Sequence, residues 1–193
     1  MHHSPTGMRL YDIQGHRLYL TSSERDAFRR AAEQAPRAVR TYCHTLLSTG
    51  CRPSEALALT ADRVDFQAQT LTFESKKKRR LGIYRAVPVP ATLLDALDLV
   101  HGIRDRKATA QFWMWSLKTA YTRVIAVMQR AGIDGPQASP KGLRHGFGVA
   151  CIAKGIPLNL VQRWLGHAQL ATTAIYADAV GDEERGIAAR LWA

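Results

Sequence analysis

The chain has 193 residues, of which 46% are hydrophobic and 22% are charged. This length suits one domain with a substantial core, and the composition excludes an intrinsically disordered protein. Lysine and arginine number 27 against 16 aspartate and glutamate, so the formal net charge is +11. Such an excess favours a polyanionic partner, with nucleic acid ahead of an anionic membrane surface.

Cysteine usage and hydropathy narrow the class further. Cys43, Cys51 and Cys151 are widely spaced and form no CxxC pair. They indicate neither a disulfide framework nor a zinc cluster, and a reducing cytoplasm fits them. No run of about 18 apolar residues occurs, and the first ten residues contain no apolar segment of the signal-peptide type. We therefore expect a soluble protein that is not exported.

Two helices are predicted after a mixed stretch of about twenty residues. The segment Thr21-Ser22-Ser23-Glu24 resembles a capping box, which predicts that the first helix begins there and runs towards Pro36. Between Pro36 and Thr49 apolar residues recur every three or four positions, which predicts the second helix. Gly50 is expected to end it.

A third helix and a small sheet follow. Pro53-Ser54-Glu55 predicts the start of the helix and places Arg52 at its entrance. Short alternating segments then predict strands at residues 64–66, 70–74 and 84–89. We expect these three strands to form an antiparallel sheet.

The remaining patterns complete the predicted fold class, which is α+β and mainly helical with one small three-stranded antiparallel sheet. Between the last two strands lies the basic run Lys76-Lys77-Lys78-Arg79-Arg80, so this charge is expected on a β-hairpin. Glycine and proline separate the later helical patterns. The predicted helices cover residues 91–101, 116–131, 141–154, 158–165 and 171–176, with a last piece near 182–192.

Four short segments contain residues suited to chemistry. In chain order they are Thr49-Gly50-Cys51-Arg52-Pro53-Ser54-Glu55, the lysines 76–78, Lys141-Gly142-Leu143-Arg144-His145, and Leu165-Gly166-His167 followed nine residues later by Tyr176. Together they resemble the tyrosine recombinase (phage integrase) family. Its members have, in this order, an arginine at a helix start, a hairpin lysine, a His/Lys-x-x-Arg box, a Leu-Gly-His and a tyrosine nucleophile. The resemblance extends from about Thr21 to Ala179.

The chain is also similar to the short fimbrial-type recombinases, in Tyr42-Cys43-His44-Thr45-Leu46-Leu47 and in its ending from Gly186 to Trp192. Those members lack a separate N-terminal core-binding domain. The resemblance therefore implies an N-terminal arm of residues 1–20 and a catalytic domain of residues 21–193.

The resemblance implies a site-specific recombinase that cleaves and rejoins DNA through a 3′-phosphotyrosyl intermediate, giving inversion, excision or integration. The implied catalytic residues are Arg52, Lys76, Lys141, Arg144, His167 and Tyr176. Two guanidinium groups suit this chemistry because each can bind the non-bridging phosphate oxygens, where negative charge accumulates in the transition state.

Several roles stay open within this scheme. The general acid is expected to be Lys76, with Lys77 and Lys78 as alternatives, and the DNA backbone is expected to bind Lys77, Lys78, Arg79 and Arg80. Lys141 stands where the family commonly has histidine and keeps a donor near the phosphate. His145 is expected to be structural. Glu55 either orients Arg52 or is a plain charge at a helix N-terminus.

No cofactor is expected, because a phosphotyrosine ester conserves the broken bond and religation then needs neither ATP nor a metal. The implied partner is double-stranded DNA, bound by a homotetramer on paired sites, and no membrane is involved. A monomer in free solution and an accessory DNA-bending protein are compatible with the sequence, as is a cytoplasmic, nucleoid-associated location. Two alternatives are a type IB topoisomerase-like activity that relaxes DNA and a catalytically silent DNA-binding regulator of the same fold.

Overall fold

A computed structural model of the chain describes residues 8–75, 82–105 and 109–178, together with residues 185, 188, 189 and 192. The α+β fold class is confirmed. Within these ranges the helices are α1 (Ser22–Glu33), α2 (Arg37–Thr49), α3 (Pro53–Leu57), α4 (Ala91–His101), α5 (Leu117–Arg130), α6 (Pro140–Ala153), α7 (Leu158–Leu165) and α8 (Ala171–Ala174). Short 3₁₀ turns cover Ala61–Arg63 and Ile175–Asp178.

The predicted sheet is antiparallel, with the strand order β1-β2-β3. Its strands are β1 (Val64–Asp65), β2 (Thr70–Glu74) and β3 (Tyr84–Pro88). Leu71 lies opposite Val87, and Phe73 lies opposite Arg85. All four side chains are buried, whereas their neighbours along each strand are more exposed. Alternation along β3 therefore turns a charged residue, Arg85, towards the interior.

Local capping explains where several helices begin and end. The predicted capping box is present, because the Thr21 hydroxyl accepts from the Glu24 backbone N–H and the Glu24 carboxylate accepts from the Thr21 backbone N–H. Gly50 ends α2 with φ of 60°, and Gly166 ends α7 with φ of 67°. This left-handed conformation favours glycine. The chain then leaves both helices at defined angles, shortly before Arg52 and His167.

Two groups of buried hydrophobic side chains hold these elements together. The larger one includes residues of α1, α2, α4, α5 and the sheet, with Phe28, Tyr42 and Trp113 among its largest members. The smaller one lies around α6, α7 and the second 3₁₀ turn, and it contains Tyr176. Because close packing leaves few empty spaces, this second cluster determines where the Tyr176 ring lies.

Residues 10–20 pack against the helical domain. Leu10, Tyr19 and Leu20 are buried, and the Leu20 backbone N–H donates to the Gly142 carbonyl oxygen at 3.2 Å. This part of the expected arm thus lies on α6, while the division at residue 20 stays a prediction. None of the described helices is long and apolar enough to cross a membrane.

One predicted helix differs in form. The segment 171–176 forms α8 only as far as Ala174, and the chain then tightens into the 3₁₀ turn that carries Tyr176. The predicted basic run Lys76–Arg80 lies outside the described residues, as does most of the predicted last piece near 182–192.

We predict that Gly146→Ala destabilises the protein, although alanine normally favours a helix interior over glycine by about 1 kcal/mol. A Cβ atom at Gly146 would lie 2.6 Å from the Leu20 carbonyl oxygen, and backbone cannot yield cheaply. We expect a loss of about 1–3 kcal/mol in the free energy of unfolding, measured with urea. Ala150→Gly in the same helix is the control, which measures the difference in helix propensity between alanine and glycine. A Gly146→Ala variant more stable than the wild type would contradict the packing described here.

Candidate functional site

Four of the residues predicted to be catalytic come together around the buried end of α6. Arg52 caps α3, Arg144 lies inside α6, His167 follows the glycine that ends α7, and Tyr176 lies on the second 3₁₀ turn. These elements are distant in the sequence. The tertiary structure therefore assembles one site from segments that the motifs had placed separately.

Arg52 is held by the carboxylate of Glu55. The Arg52 backbone N–H donates to Glu55 Oε2 at 2.8 Å, and its side-chain Nη1 donates to Oε1 at 2.9 Å. The Arg52 side chain is nevertheless 46% exposed, whereas that of Glu55 is 1% exposed. Of the two roles left open for Glu55, this geometry supports orientation of Arg52. The guanidinium keeps donors that can reach an anion from solvent.

Glu55 also forms a buried ion pair with Arg85, which the sequence analysis missed. Arg85 Nη2 lies 2.5 Å from Glu55 Oε2, and its side chain is 4% exposed. Burial pushes the pKa of Glu55 upwards, but the hydrogen bonds and charge of Arg85 outweigh it, and the net shift is downwards. Glu55 is therefore a carboxylate at neutral pH. The sequence contained one signal for this pair: Arg85 lies two residues before Val87 in β3, so both side chains point to the same, buried face of the sheet.

Arg144 is buried and bound to backbone. Its Nη1 donates to the Gly50 carbonyl oxygen at 2.6 Å, and its Nη2 donates to the Leu165 carbonyl oxygen at 2.7 Å. Both oxygens lie at helix C-termini, where the helix dipole favours a cation. Burial, followed by the nearby charge of Arg52, lowers the pKa of Arg144 to about 10, so it stays positively charged at neutral pH.

The Tyr176 ring stacks on His167, with ring centroids 6.1 Å apart and an angle of 21° between the planes. Gly148 makes room for it, because a Cβ atom there would lie 2.5 Å from the Tyr176 ring. Tyr176 is 1% exposed. Burial raises the pKa of Tyr176 to about 12 against the opposing pull of Arg144 and Arg52. The phenol is therefore protonated and covered in this structure.

Two histidines lie against the phenol in their neutral forms. His145 Nδ1 lies 3.3 Å from the Tyr176 hydroxyl oxygen, and His167 Nδ1 lies 2.9 Å from the Thr173 hydroxyl oxygen. Burial, followed by Lys141 and Arg144, lowers the pKa of His145 to about 4. Burial, followed by Arg144 and Arg52, lowers the pKa of His167 to about 3. His145 thus directly contacts the expected nucleophile.

The remaining predicted residues lie at the edge of the site or outside the described ranges. Lys141 is exposed in the first turn of α6, one turn before Arg144. The residues outside the described ranges are Lys76, Lys77, Lys78, Arg79 and Arg80. An open pocket of about 470 Å³ lies between β3 and α7, and its lining includes Arg85, Arg163 and His167. Through this pocket, solvent reaches the side of the site that includes His167.

Comparison with known proteins identifies relatives along most of the chain. Residues 19–182 match the family model described as the phage integrase family. Tyrosine recombinase XerD of Mycobacterium tuberculosis H37Rv is 34% identical over 149 residues, which cover 71% of this chain and 46% of XerD. Tyrosine recombinase XerA of Pyrococcus furiosus is 30% identical over 141 residues, which cover 68% of this chain and 46% of XerA. The chain thus spans about half the length of these curated relatives.

Solved structures share the fold. The crystal structure of XerA recombinase matches with a TM-score of 0.75 at 23% identity, covering 90% of this chain and 64% of that chain. XerH recombinase bound to its difH substrate before cleavage matches with a TM-score of 0.73 at 22% identity, covering 95% of this chain and 60% of the XerH chain. The catalytic domain of bacteriophage HP1 integrase matches with a TM-score of 0.62 at 23% identity, covering 88% of this chain and 93% of the integrase domain. The nearer likeness to fimbrial-type recombinases stays a prediction.

We predict that the free energy of unfolding decreases as the pH falls from 7 to 5. In the unfolded chain histidines become protonated below about pH 6.5. In the folded protein the pKa of His145 is about 4 and the pKa of His167 is about 3, so both stay neutral at pH 5. The unfolded state therefore binds more protons in this window, which costs stability by at most about 2 kcal/mol per histidine at pH 5.

Urea unfolding at pH 7, 6 and 5 measures this effect. His145→Asn and His167→Asn should each flatten the pH dependence. Measurement at or above pH 5 keeps the titration of carboxylates small. A double variant with the pH slope of the wild type would contradict the burial of neutral imidazoles.

Proposed function

Because this chain belongs to the phage integrase family, we propose that it is a site-specific DNA recombinase with Tyr176 as its nucleophile. The observation that carries the proposal is the meeting of Arg52, Arg144, His167 and Tyr176 in one site. The charges of both arginines act on the Tyr176 phenol. A phenol beside two fixed cations is the combination that phosphodiester cleavage by a tyrosine requires.

In the proposed cleavage, the Tyr176 phenol oxygen forms a bond to phosphorus, and the bond from phosphorus to the 5′ oxygen breaks. The phenol proton passes to a base, and the departing 5′ oxygen gains a proton from a general acid. The DNA is left with a 3′-phosphotyrosyl ester and a free 5′-hydroxyl. Attack of a 5′-hydroxyl on that ester reverses the step, so nothing is oxidised and no ATP is consumed.

The general acid in this proposal is the hairpin lysine Lys76, with Lys77 and Lys78 as alternatives. Lys141, exposed at the start of α6, supplies a further donor to the phosphate. His167 is also proposed to bind the phosphate. Its Nδ1 is hydrogen-bonded to Thr173, and its buried Nε2 has no hydrogen-bond partner among the described residues. In this proposal, movement of the stacked Tyr176 ring opens that nitrogen to a non-bridging phosphate oxygen.

Attack requires Tyr176 to leave its present surroundings. The ring is covered by His167 and lies against Gly148, and a protonated phenol with a pKa of about 12 is a weak nucleophile. We propose that DNA binding moves the 3₁₀ turn and brings the phenol to the phosphate, where the two arginines favour the phenolate.

Double-stranded DNA is the proposed partner, in line with the +11 net charge of the chain. XerH, which shares the fold, has been solved bound to its difH substrate. A homotetramer on two paired sites, an accessory DNA-bending protein and association with the nucleoid belong to the same proposal. Relaxation of DNA without strand exchange is not favoured, because the curated relatives are named recombinases.

We predict that a nicked suicide DNA carrying a candidate recombination site to which the protein binds traps the wild-type protein as a covalent adduct, and that Tyr176→Phe abolishes the adduct. The nick lets the 5′-hydroxyl fragment diffuse away, so religation fails and the ester accumulates. Denaturing electrophoresis measures the adduct. Tyr121→Phe is the matched control, because Tyr121 is 47% exposed on α5 and should behave as the wild type.

An adduct that persists in Tyr176→Phe would move the nucleophile elsewhere. No adduct from the wild type, on a DNA that it demonstrably binds, would favour the binding-only regulator. A wild-type adduct together with relaxation but no exchange between paired sites would favour the topoisomerase-like alternative.

We predict that DNA affinity falls steeply with salt, because each phosphate neutralised releases a counterion and contributes about −0.9 to the slope of log K against log salt. Arg79→Gln with Arg80→Gln should make the slope shallower by up to about 1.8, if both bind phosphates. Lys118→Gln, an exposed residue on α5, is the control. A nearly flat dependence in the wild type would contradict the proposed binding surface.

A further inference from the structure

Arg85 is a buried cation that the proposed reaction does not use. It lies at an inward position of β3, opposite Phe73 on β2, and its side chain is 4% exposed. A charged group buried this completely needs partners, because transfer from water into the interior is costly.

The partners of Arg85 come from three different parts of the fold. Its Nε donates to the Trp164 carbonyl oxygen at 2.7 Å, near the end of α7, and its Nη1 donates to the Ser75 hydroxyl at 3.2 Å, just after β2. Nη1 and Nη2 also donate to the two oxygens of Glu55 at 3.3 and 2.5 Å. The guanidinium thus joins α3, the sheet and α7 at one point.

The Glu55 carboxylate is fully occupied in this arrangement. Its Oε1 accepts from Arg52 Nη1 and Arg85 Nη1, and its Oε2 accepts from the Arg52 backbone N–H and Arg85 Nη2. A carboxylate has about four lone-pair sites, so these four bonds fill it. Within the described part of the chain, the Arg52 side chain therefore makes a single hydrogen bond, to Glu55, and keeps its other N–H donors for a ligand.

Without Arg85, two acceptor sites on a buried carboxylate would be empty. The nearest cation that could fill them is Arg52, whose planar fork matches a carboxylate in a bidentate pair. Arg52 would then turn inwards onto Glu55 and away from solvent. The buried ion pair therefore determines how much of the Arg52 guanidinium faces the site.

We propose that Arg85 is a positioning residue for DNA cleavage, which saturates Glu55 and so leaves Arg52 free to bind the scissile phosphate. This inference rests on the proposed recombinase function. Arg85 itself touches no reacting atom, because it is buried under Gly166, where a Cβ atom would lie 3.0 Å from its Nη1. Its substitution should therefore change the rate of cleavage more than the affinity for DNA.

The test uses Arg85→Gln and Arg85→Lys with three suicide DNAs that differ only at the scissile phosphate. The first is the ordinary phosphodiester. The second is a methylphosphonate, which has lost one non-bridging charge and therefore depends less on Arg52. The third carries sulfur in place of the 5′ oxygen, and its thiol leaving group has a pKa of about 8.5, so it departs without a general acid.

We expect single-turnover cleavage of the ordinary phosphodiester to fall at least about tenfold in both variants, since a phosphate donor is lost in the transition state. The deficit relative to the wild type should shrink to within about threefold on the methylphosphonate and persist on the sulfur substrate. DNA affinity should stay within about twofold. Arg104→Gln, which breaks an exposed pair with Asp98, is the matched control and should match the wild type on all three.

Each other pattern overturns the inference. A deficit that disappears only on the sulfur substrate would mean that Arg85 acts through the general acid, and an equal deficit on all three would mean a general structural role. A deficit on none would mean no positioning role. Failure of the wild type to form an adduct on both the phosphodiester and sulfur DNAs would instead count against the proposed function.

Folding is controlled separately, because Arg85→Gln leaves the Glu55 charge without its buried partner. Urea unfolding at several temperatures gives the free energy of unfolding of each variant, and cleavage is then measured at a temperature at which every variant is folded. If Arg85→Gln does not fold, Arg85→Lys alone decides the test, because it keeps a positive charge beside the buried Glu55 carboxylate. Lysine lacks the planar fork of arginine and cannot bind both Glu55 oxygens in the same way, so the same dependence on the three substrates is expected, and any other dependence overturns the proposal.

Discussion

The Arg144 guanidinium, bound to the carbonyl oxygens of Gly50 and Leu165, is the interaction on which the site depends. These oxygens lie where α2 and α7 end, and the segments that follow carry Arg52 and His167. One buried cation therefore joins two helix C-termini and fixes the start of two functional segments. The helix dipoles make this position favourable for a positive charge, so the same contact stabilises the fold and supplies charge to the site.

The site is rich in positive charge and poor in compensating negative charge. Arg52, Arg85 and Arg144 surround one carboxylate, that of Glu55, among the described residues. Burial and these cations keep the nearby histidines neutral, as their lowered pKa values indicate. A bound phosphate would relieve the repulsion among the arginines. The excess of positive charge therefore suits the anionic substrate of the proposed reaction.

The position of Tyr176 illustrates how packing and chemistry oppose each other here. The smaller hydrophobic cluster covers the ring and raises the pKa of its phenol, whereas Arg144 and Arg52 favour the phenolate. Burial prevails in this structure. In the proposed reaction this balance has to shift towards the phenolate, which requires the 3₁₀ turn after α8 to move Tyr176 out of the cluster.

The sequence by itself determined the helix and strand pattern and the glycine that ends α2, because capping and periodicity act over a few residues. The family came from a resemblance in short motifs, which also singled out Arg52, Arg144, His167 and Tyr176 as candidates. Only the tertiary structure decided the role of Arg85, the burial of Tyr176 and the contact of His145 with its phenol. The bonds of Arg85 join positions 30 and 79 residues apart. Such partners depend on which faces of the elements meet, and no local pattern specifies that.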